Sequence, residues 1–284
     1  MRNILLTFLF LTGNLAFGQH FFMTTFLGVA AYQGDIQPKP LAFLQSKPVA
    51  GIGFDYQIIP HLDVKMEYSV ARIGANDKYN LSTKSRNLSF KSDIYDLSFL
   101  AEYYLLDLDK YPVSPFLFGG ISYFKFSPFV DLPNGLRVFL PDMDTEGQTF
   151  YLDRKKYDLS LWTATYGAGV MWAISNRLRL GYSIGFRKPD TDYLDDVSTT
   201  YVDRDELQQR RGNTAVALAY RGDQLPNGAP YPAAGTQRGN PFNNDSYYFM
   251  GLTMRFTINP KGRKPSDTPP KVPKSRVSCP RPVF

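Results

Sequence analysis

The sequence predicts an all-β protein: an eight-stranded antiparallel transmembrane β-barrel with long extracellular loops, the last partly helical, and a disordered basic C-terminal tail. Alternation of apolar and polar residues with a period of two recurs about eight times along the chain. Hydrophobic residues make up 43% of the 284 residues, yet no segment after the N-terminus approaches the roughly 20 apolar residues of a membrane helix. The predicted connections between strands also alternate between short and long, as in outer-membrane barrels.

The chain begins with the pattern of an export signal. Arg2 precedes an apolar run at residues 4–11, and small residues follow at Ala16 and Gly18. This order is typical of a secretory signal peptide, with cleavage expected before Gln19. The run is too short to cross a bilayer as a helix. We therefore expect a signal peptide at 1–18, an outer-membrane β-barrel at 19–258 and a Pro/Lys-rich periplasmic tail at 259–284.

Eight segments are predicted to be strands, each close to the 9–11 residues that a tilted membrane strand needs. Six of them alternate clearly, at residues 50–58, 62–70, 95–103, 162–172, 177–187 and 248–258. Weaker alternation marks residues 22–32 and 116–126. One face of the clear strands is apolar. The other face mixes acids with bases, namely Asp55, Asp63, Glu67, Asp96, Glu102, Lys65, Arg179, Arg187 and Arg255.

A secreted β-sandwich would share this composition, and the aromatic residues help to separate the two folds. Tyr95, Tyr103, Trp162 and Trp172 lie near strand ends, as they do in the aromatic girdles of membrane barrels. In a barrel, the apolar face meets lipid and the mixed-charge face fills the lumen. Because a barrel of eight strands has no room for a channel, these charges are expected to pair as a structural network.

Loop length predicts the orientation of the barrel. Short connections at residues 59–61, 106–114 and 175–176 alternate with long ones at 35–47, 72–91, 127–158 and 188–245. Outer-membrane barrels turn tightly in the periplasm and loop outside the cell, which predicts a cell outer membrane location with both termini periplasmic. Within the last loop, Asp203 is expected to cap a short helix that Gly212 ends. A second short helix is expected from Asn213 to Gly222.

Few residues could carry chemistry. His20 lies at the mature N-terminus and His61 in a predicted periplasmic turn, so neither is near an outer active site. An enzyme of the acyl-transfer or protease class is therefore not expected, and no catalytic residue or cofactor is predicted. A group of four aspartates could bind Ca²⁺, but it lacks the spacing of an EF-hand loop, and we favour turn aspartates that bond the backbone of their own loop. The group consists of Asp190, Asp192, Asp195 and Asp196.

The positive charge of the chain is concentrated in the tail. Residues 259–284 hold seven basic residues and one acid, which equals the net charge of +6 for the whole chain. The folded part therefore gives no support to nucleic-acid binding. The proline-rich tail is expected to be disordered, and its lone Cys279 could form an intermolecular disulfide or have no role. Residues that could contact a partner are Lys261, Arg263, Lys264, Lys271, Lys274, Arg276 and Cys279.

Several segments resemble one known family. TDYLDDVSTTYVD at 191–203 is followed by AVALAYRGD at 215–223 and by TQRGN and DSYYFMGLTMRF, while LGVAAYQGDI and PFLFGGISYFKFSP occur earlier. Together they resemble the PorG-like outer-membrane β-barrel family of Bacteroidota. The resemblance implies a component of the type IX protein secretion and gliding motility machinery that contacts a periplasmic ring lipoprotein and its partner, with outer-membrane lipid around the barrel. The alternative is a stand-alone OmpA-like surface barrel that binds a ligand or adheres through its long loops.

Overall fold

The chain folds as a ring of antiparallel strands. A computed structural model describes residues 21–40, 42–175 and 177–258, and over these residues it contains nine strands and one α-helix. The strands are β1 (Phe21–Gln33), β2 (Lys47–Ile59), β3 (Leu62–Asn76), β4 (Ser89–Tyr104), β5 (Val113–Asp131), β6 (Arg137–Phe139), β7 (Ser160–Ala173), β8 (Leu178–Pro189) and β9 (Ser246–Ile258). The helix α1 (Arg204–Ala219) lies between β8 and β9.

The sheet closes on itself. Its strands pair in the order β4-β3-β2-β1-β9-β8-β7-β5, and β4 also pairs with β5, which completes a barrel of eight strands. Every neighbouring pair is antiparallel. β6 is not part of the ring and forms a short hairpin with the end of β5. All eight predicted strands are present, including the two with weak alternation, so the predicted fold class is confirmed.

Side chains of the wall strands point alternately outward and into the lumen, with the apolar set outward. Ile52 and Phe54 are 58% and 53% exposed, whereas Asp55 and Arg255 are almost completely buried. A water-soluble protein would bury the two apolar side chains and expose the two charged ones to solvent. The reverse arrangement is that of a membrane barrel, in which lipid covers the outer face.

The four aromatic residues predicted to belong to girdles lie at two levels on the outer face. Strand pairing places Tyr95 and Trp162 towards one end of the wall and Tyr103 and Trp172 towards the other. All four side chains are exposed on the outside of the barrel. Tyrosine and tryptophan rings at two levels mark the two interfaces of a bilayer.

The two ends of the barrel differ. The turn end carries the short links from β2 to β3, β4 to β5 and β7 to β8, and the cap end carries the four long links. We call the described residues of those long links the cap. The predicted alternation of loop lengths is confirmed, but β3 continues to Asn76, β4 begins at Ser89 and β5 runs to Asp131. Residues 72–76 and 89–91, predicted as loop, are paired strand instead. The main-chain hydrogen bonds between β3 and β4 continue beyond the last outward-facing apolar residues, so the strands extend towards the cap end.

The first half of α1 begins and ends where the sequence predicts. The Asp203 carboxylate caps it by accepting hydrogen bonds from the backbone N–H groups of Asp205 and Glu206, at 3.0 and 2.9 Å. Gly212 interrupts the helix with a φ of 83°, a backbone conformation that residues with a side chain rarely adopt.

The second half of α1 ends earlier than predicted. It stops at Ala219 because Tyr220 is extended, with φ −148° and ψ 136°, whereas the predicted stop was Gly222. No helix among the described residues is both long enough and apolar enough to span a membrane. The predicted signal peptide and the predicted tail lie outside the described residues.

Candidate functional site: a filled lumen beneath an interlocked cap

Arg255 occupies the lumen near the turn end and is fully buried. Its Nη1 lies 2.8 Å from an oxygen of Asp63, and its Nη2 lies 2.6 Å from an oxygen of Asp55. The same Nη2 also contacts Glu102. One guanidinium on β9 thus holds carboxylates from β2, β3 and β4, across the width of the barrel.

A second cation extends this network. The Nζ atom of Lys65 lies 2.5 Å from an oxygen of Glu67 and 3.7 Å from an oxygen of Glu102. All three side chains are buried in the lumen. The prediction that lumen charges pair with one another is confirmed, as expected where an unpaired buried charge is costly.

A second layer of polar side chains lies closer to the cap end. Asp96 accepts hydrogen bonds from the hydroxyls of Tyr247, at 2.9 Å, and Ser98, at 2.5 Å, and from Nε of Arg187 at 3.3 Å. The Arg187 guanidinium also lies 4.0 Å from the ring centroid of Phe249. A lumen cavity between the two layers measures about 20 Å³, which is room for about one water molecule. Side chains therefore fill the lumen between the two layers.

Glu146 and Arg238 form a buried ion pair at the centre of the cap. Nη1 of Arg238 lies 2.8 Å from Oε1 of Glu146 and donates to the carbonyl oxygen of Asp196 at 2.5 Å. Glu146 also accepts from the backbone N–H groups of Ser198 and Thr199, at 2.9 and 3.0 Å. Burial alone would raise the pKa of the Glu146 carboxyl, but Arg238 and these donors outweigh it and hold that pKa below its usual range.

Arg86 connects the remaining two long links to this centre. Its Nη1 donates to the carbonyl oxygen of Arg238 at 2.5 Å, and its Nη2 donates to the carbonyl oxygen of Asp35 at 3.1 Å. Nε of Arg86 also pairs with Asp77 at 2.9 Å. All four long links therefore meet through two arginines, which makes the cap one interlocked unit.

Tyr32, at the end of β1, bridges two carboxyl groups. Its hydroxyl oxygen lies 2.6 Å from Oδ2 of Asp195 and 2.9 Å from Oδ1 of Asp245. A hydroxyl has one proton to donate, and an ionised carboxylate can only accept, so one of the two aspartates must hold a proton. Burial and the charge of Asp35 raise the pKa of Asp195 to about 8. Burial and Asp195 together raise the pKa of Asp245 well above its usual range.

Asp192 is a further buried carboxyl in the cap, with 6% of its surface exposed. Neither of its carboxyl oxygens has a hydrogen-bond partner of normal geometry among the described residues. Burial and the charge of Asp35 raise its pKa to about 8, and the nearby Ser198 hydroxyl opposes this shift only in part. Asp192 is therefore mostly neutral at pH 7.

The predicted group of four aspartates is divided between the surface and the interior. Asp190 is exposed, and the other three, Asp192, Asp195 and Asp196, are buried in the cap. Asp195 and Asp196 bond mostly to other loops, because the long links pack across one another, and not to the backbone of their own loop as the sequence predicted. Asp196 accepts from the hydroxyls of Thr145 and Tyr157 at 2.5 and 2.7 Å. Within residues 21–40, 42–175 and 177–258, no three His, Cys, Asp or Glu side chains are placed to hold a metal ion.

Sequence reasoning missed the residues that build the cap. Glu146 and Arg238 lie 92 positions apart in two long loops, where no periodicity marks them. Only the presence of a charged residue inside such a loop could have drawn attention to them. His61 lies at the turn end, as predicted, with Nδ1 2.8 Å from the carbonyl oxygen of Tyr104. Outside the described residues lie His20 and the predicted partner-contact residues Lys261, Arg263, Lys264, Lys271, Lys274, Arg276 and Cys279.

One known protein family matches this chain. The profile of a family described as a domain of unknown function, DUF6089, matches residues 1–215. The chain belongs to this family. The DUF6089 match covers the strands from β1 to β8 and most of α1, while β9, which completes the ring, lies beyond it. No curated protein matches the chain.

Solved structures of bacterial barrels resemble this DUF6089 protein at low identity. Neisserial surface protein A is 13% identical, with a TM-score of 0.44 over 85% of this chain and 99% of that one. Ail, the attachment invasion locus protein of Yersinia pestis, is 9% identical, with a TM-score of 0.41 over 84% and 99%. The outer membrane protein OprG from Pseudomonas aeruginosa is 9% identical, with a TM-score of 0.37 over 84% and 97%. The barrel assignment itself rests on the strand pairing described above.

Proposed function

We propose that this DUF6089 protein is a non-enzymatic outer-membrane component of the type IX protein secretion and gliding machinery. The observation that carries the proposal is the filled lumen, in which buried ion pairs occupy the space that a pore would need. A barrel that passes no solute serves as an anchor, so its role depends on what its two ends contact. The resemblance of residues 191–203 to the PorG-like family supports the type IX assignment.

The proposed orientation follows from the two unequal ends. The interlocked cap faces the outside of the cell, and the turn end and both termini face the periplasm, as in other barrels with short turns and long loops. In this arrangement the tail, residues 259–284, follows β9 directly into the periplasm. Its seven basic residues are then available to a periplasmic ring lipoprotein and its partner protein.

The proposal is tested by affinity purification from native membranes in a mild detergent. Three forms are compared: the full chain, a chain lacking residues 259–284, and a chain in which only the seven basic tail residues are changed to glutamine. We expect periplasmic ring proteins to co-purify with the full chain and to be lost from both tail variants. Recovery of the barrel alone from all three forms, with normal export of cargo in a deletion strain, would contradict the type IX role.

A second candidate function is that of a stand-alone surface barrel that binds a ligand or adheres through its long loops. Exposed apolar side chains at the loop tips favour it. Leu81, Leu152 and Phe242 each leave more than nine-tenths of their surface exposed on the cap, where they would be available to a ligand. Changing all three to serine separates the two functions. Loss of surface binding with cargo secretion intact would favour this candidate, and intact binding with lost secretion would count against it.

A further inference from the structure

A groove of about 320 Å³ lies beside the outer wall at the cap end. Two short 3₁₀ turns, Phe43–Gln45 and Asp77–Tyr79, border it together with the upper ends of β4 and β5. The groove is separate from both the lumen network and the buried centre of the cap. None of the functions discussed above uses it.

The lining of the groove is cationic. Three lysines, Lys47, Lys78 and Lys91, line it, and Asp131 is the single acid among the lining residues. Lys91 pairs with Asp131 at 2.9 Å. Lys47 and Lys78 take part in no ion pair with the residues that the structure describes, although the Nζ of Lys78 lies 4.7 Å from the ring centroid of Tyr79. Two ammonium groups at this groove therefore lack a counter-charge.

Gln45 adds an unpaired donor to the same lining. Its Oε1 accepts a hydrogen bond from the backbone N–H of Asn76 at 2.7 Å, which fixes the orientation of the amide. The other end, Nε2, is buried and has no partner, and the residue as a whole is 7% exposed. A buried N–H group without an acceptor is costly, so this position favours a ligand that brings an acceptor oxygen.

The cationic surface continues next to the groove. Two guanidinium groups lie against the ring of Phe129, which also lines the groove: Arg137 at 3.7 Å and Arg72 at 5.5 Å from the ring centroid. Both arginines also contact Asp93, at 3.7 Å for Arg137 and 2.5 Å for Arg72. Five cations therefore lie in or next to the groove against two acids, Asp93 and Asp131, and the excess charge is positive.

The height of the groove along the barrel matches the level of lipid headgroups. The outward apolar row of β3 ends at Val70, and that of β4 ends at Tyr95 in the aromatic girdle. Lys91 lies four positions beyond Tyr95, which is about 13 Å along the strand and about 10 Å in height for a tilted strand. Leu44, which lines the groove, is 92% exposed and offers an apolar contact at this level.

We propose that this groove binds the phosphate-bearing headgroup of an anionic lipid in the leaflet around the cap end. Lys47 and Lys78 supply charge, and Nε2 of Gln45 donates to a phosphate oxygen. The proposal rests on the membrane placement of the barrel but not on any protein partner. It can therefore fail while the type IX role stands, and the reverse also holds.

The test measures lipid retention by the purified full chain. The protein is placed in phosphatidylcholine nanodiscs with and without a minor fraction of lipid A, and the lipids that remain bound after release are counted by native mass spectrometry. The variant Lys47→Gln/Lys78→Gln removes both uncompensated charges. The control Lys155→Gln/Lys156→Gln removes the same charge from exposed cap lysines that do not line the groove.

We expect the wild-type chain and the control to retain lipid A in preference to phosphatidylcholine. The groove variant should retain lipid A roughly thirtyfold less, because each of the two lysines contributes about 1 kcal/mol near a charged lipid. Gln45→Leu, which leaves every charge in place, should also weaken retention. An equal loss of bound lipid A in the groove variant and in the control would mean that general surface charge, and not this groove, retains the lipid. That result would overturn the proposed site. Full displacement of lipid A by an equal concentration of inorganic phosphate would overturn the lipid as its ligand. Heat-shifted migration on gels verifies that each variant is folded.

Discussion

At the scale of single residues, Arg255 is the side chain on which the lumen depends most. It is fully buried and faces the carboxylates of Asp55, Asp63 and Glu102, so its removal would leave three acids without their shared cation. We expect Arg255→Leu to lower the free energy of unfolding by about 3–5 kcal/mol, because breaking a buried pair leaves uncompensated charge. Urea-induced unfolding of the protein in lipid vesicles measures this change.

The matched control for Arg255→Leu is Arg210→Leu. Arg210 pairs with Glu206 on the exposed surface of α1, at 3.1 Å. An exposed pair four positions apart on a helix contributes less than about 1 kcal/mol, so this variant should unfold almost as the wild-type chain does. Equal effects of the two substitutions would mean that Arg255 does not hold the lumen together.

Alternation in the sequence predicts that Arg255 and Asp55 face the lumen, but it does not predict that they touch. The face to which a side chain points is a local property, since every second residue of a strand shares one face. The partner of Arg255 is set by the order and stagger of strands around the ring, which brings β9 close to residues about 200 positions away. The lumen network could thus be predicted as a set of residues, and its pairs could not.

At the scale of elements, the cap should respond to pH. Asp192 and Asp195 have pKa values of about 8 in the folded cap, whereas an exposed aspartate has a pKa near 3.9. The folded cap therefore binds more protons than the open cap between about pH 4 and pH 8, and its stability falls as the pH rises through that window. The contribution is complete below about pH 4 and lost above about pH 8. Glu146, with a lowered pKa, stays ionised from pH 6 to pH 9 and does not mask the effect.

Hydrogen exchange of residues 190–203, corrected for intrinsic rates and followed by mass spectrometry, measures this response. We expect protection to fall by about tenfold or more between pH 6 and pH 9, since one pKa unit corresponds to a tenfold change in equilibrium. Asp192→Asn, which mimics the neutral carboxyl, should reduce that fall. The control Asp190→Asn alters an exposed member of the same loop and should leave it unchanged. An unaltered pH response in Asp192→Asn would show that Asp192 does not titrate in this range.

The elements of the cap were predictable only where a local rule applies. Asp203 and Gly212 determine where the first half of α1 begins and ends through a side-chain cap and a positive φ, and both features can be read from neighbouring residues. The contacts between loops, such as the ion pair of Glu146 with Arg238, depend on long-range packing. No pattern among neighbouring residues therefore predicts them.

At the scale of the whole molecule, eight strands and their sidedness could be predicted because a membrane barrel repeats one rule at every strand. Apolar residues face lipid, polar residues face the lumen, and the period of two follows from strand geometry. The height of the wall could not be predicted in the same way. Above the membrane the outer face no longer needs to be apolar, so the alternation disappears while the pairing of β3 with β4 continues to Asn76 and Ser89.

The same architecture predicts that the barrel conducts no solute, and that two separate barriers are responsible. One is the interlocked cap, centred on Glu146 and Arg238. The other is the lumen itself, where Arg255 and the layer around Asp96 leave a cavity of only about 20 Å³ between them. The purified protein should therefore give no stepwise current in planar bilayers, with a general porin as the positive control.

Arg238→Ala distinguishes the two barriers, because it removes the central cation of the cap and leaves every lumen side chain in place. Its cap should exchange hydrogen faster, and its current should remain at the wild-type level, since the lumen layers contain no residue of the cap. Steady unitary currents in Arg238→Ala alone would make the cap the gate of a real pore. Currents in the wild-type chain would contradict the sealed lumen, and with it the argument that the barrel acts as an anchor.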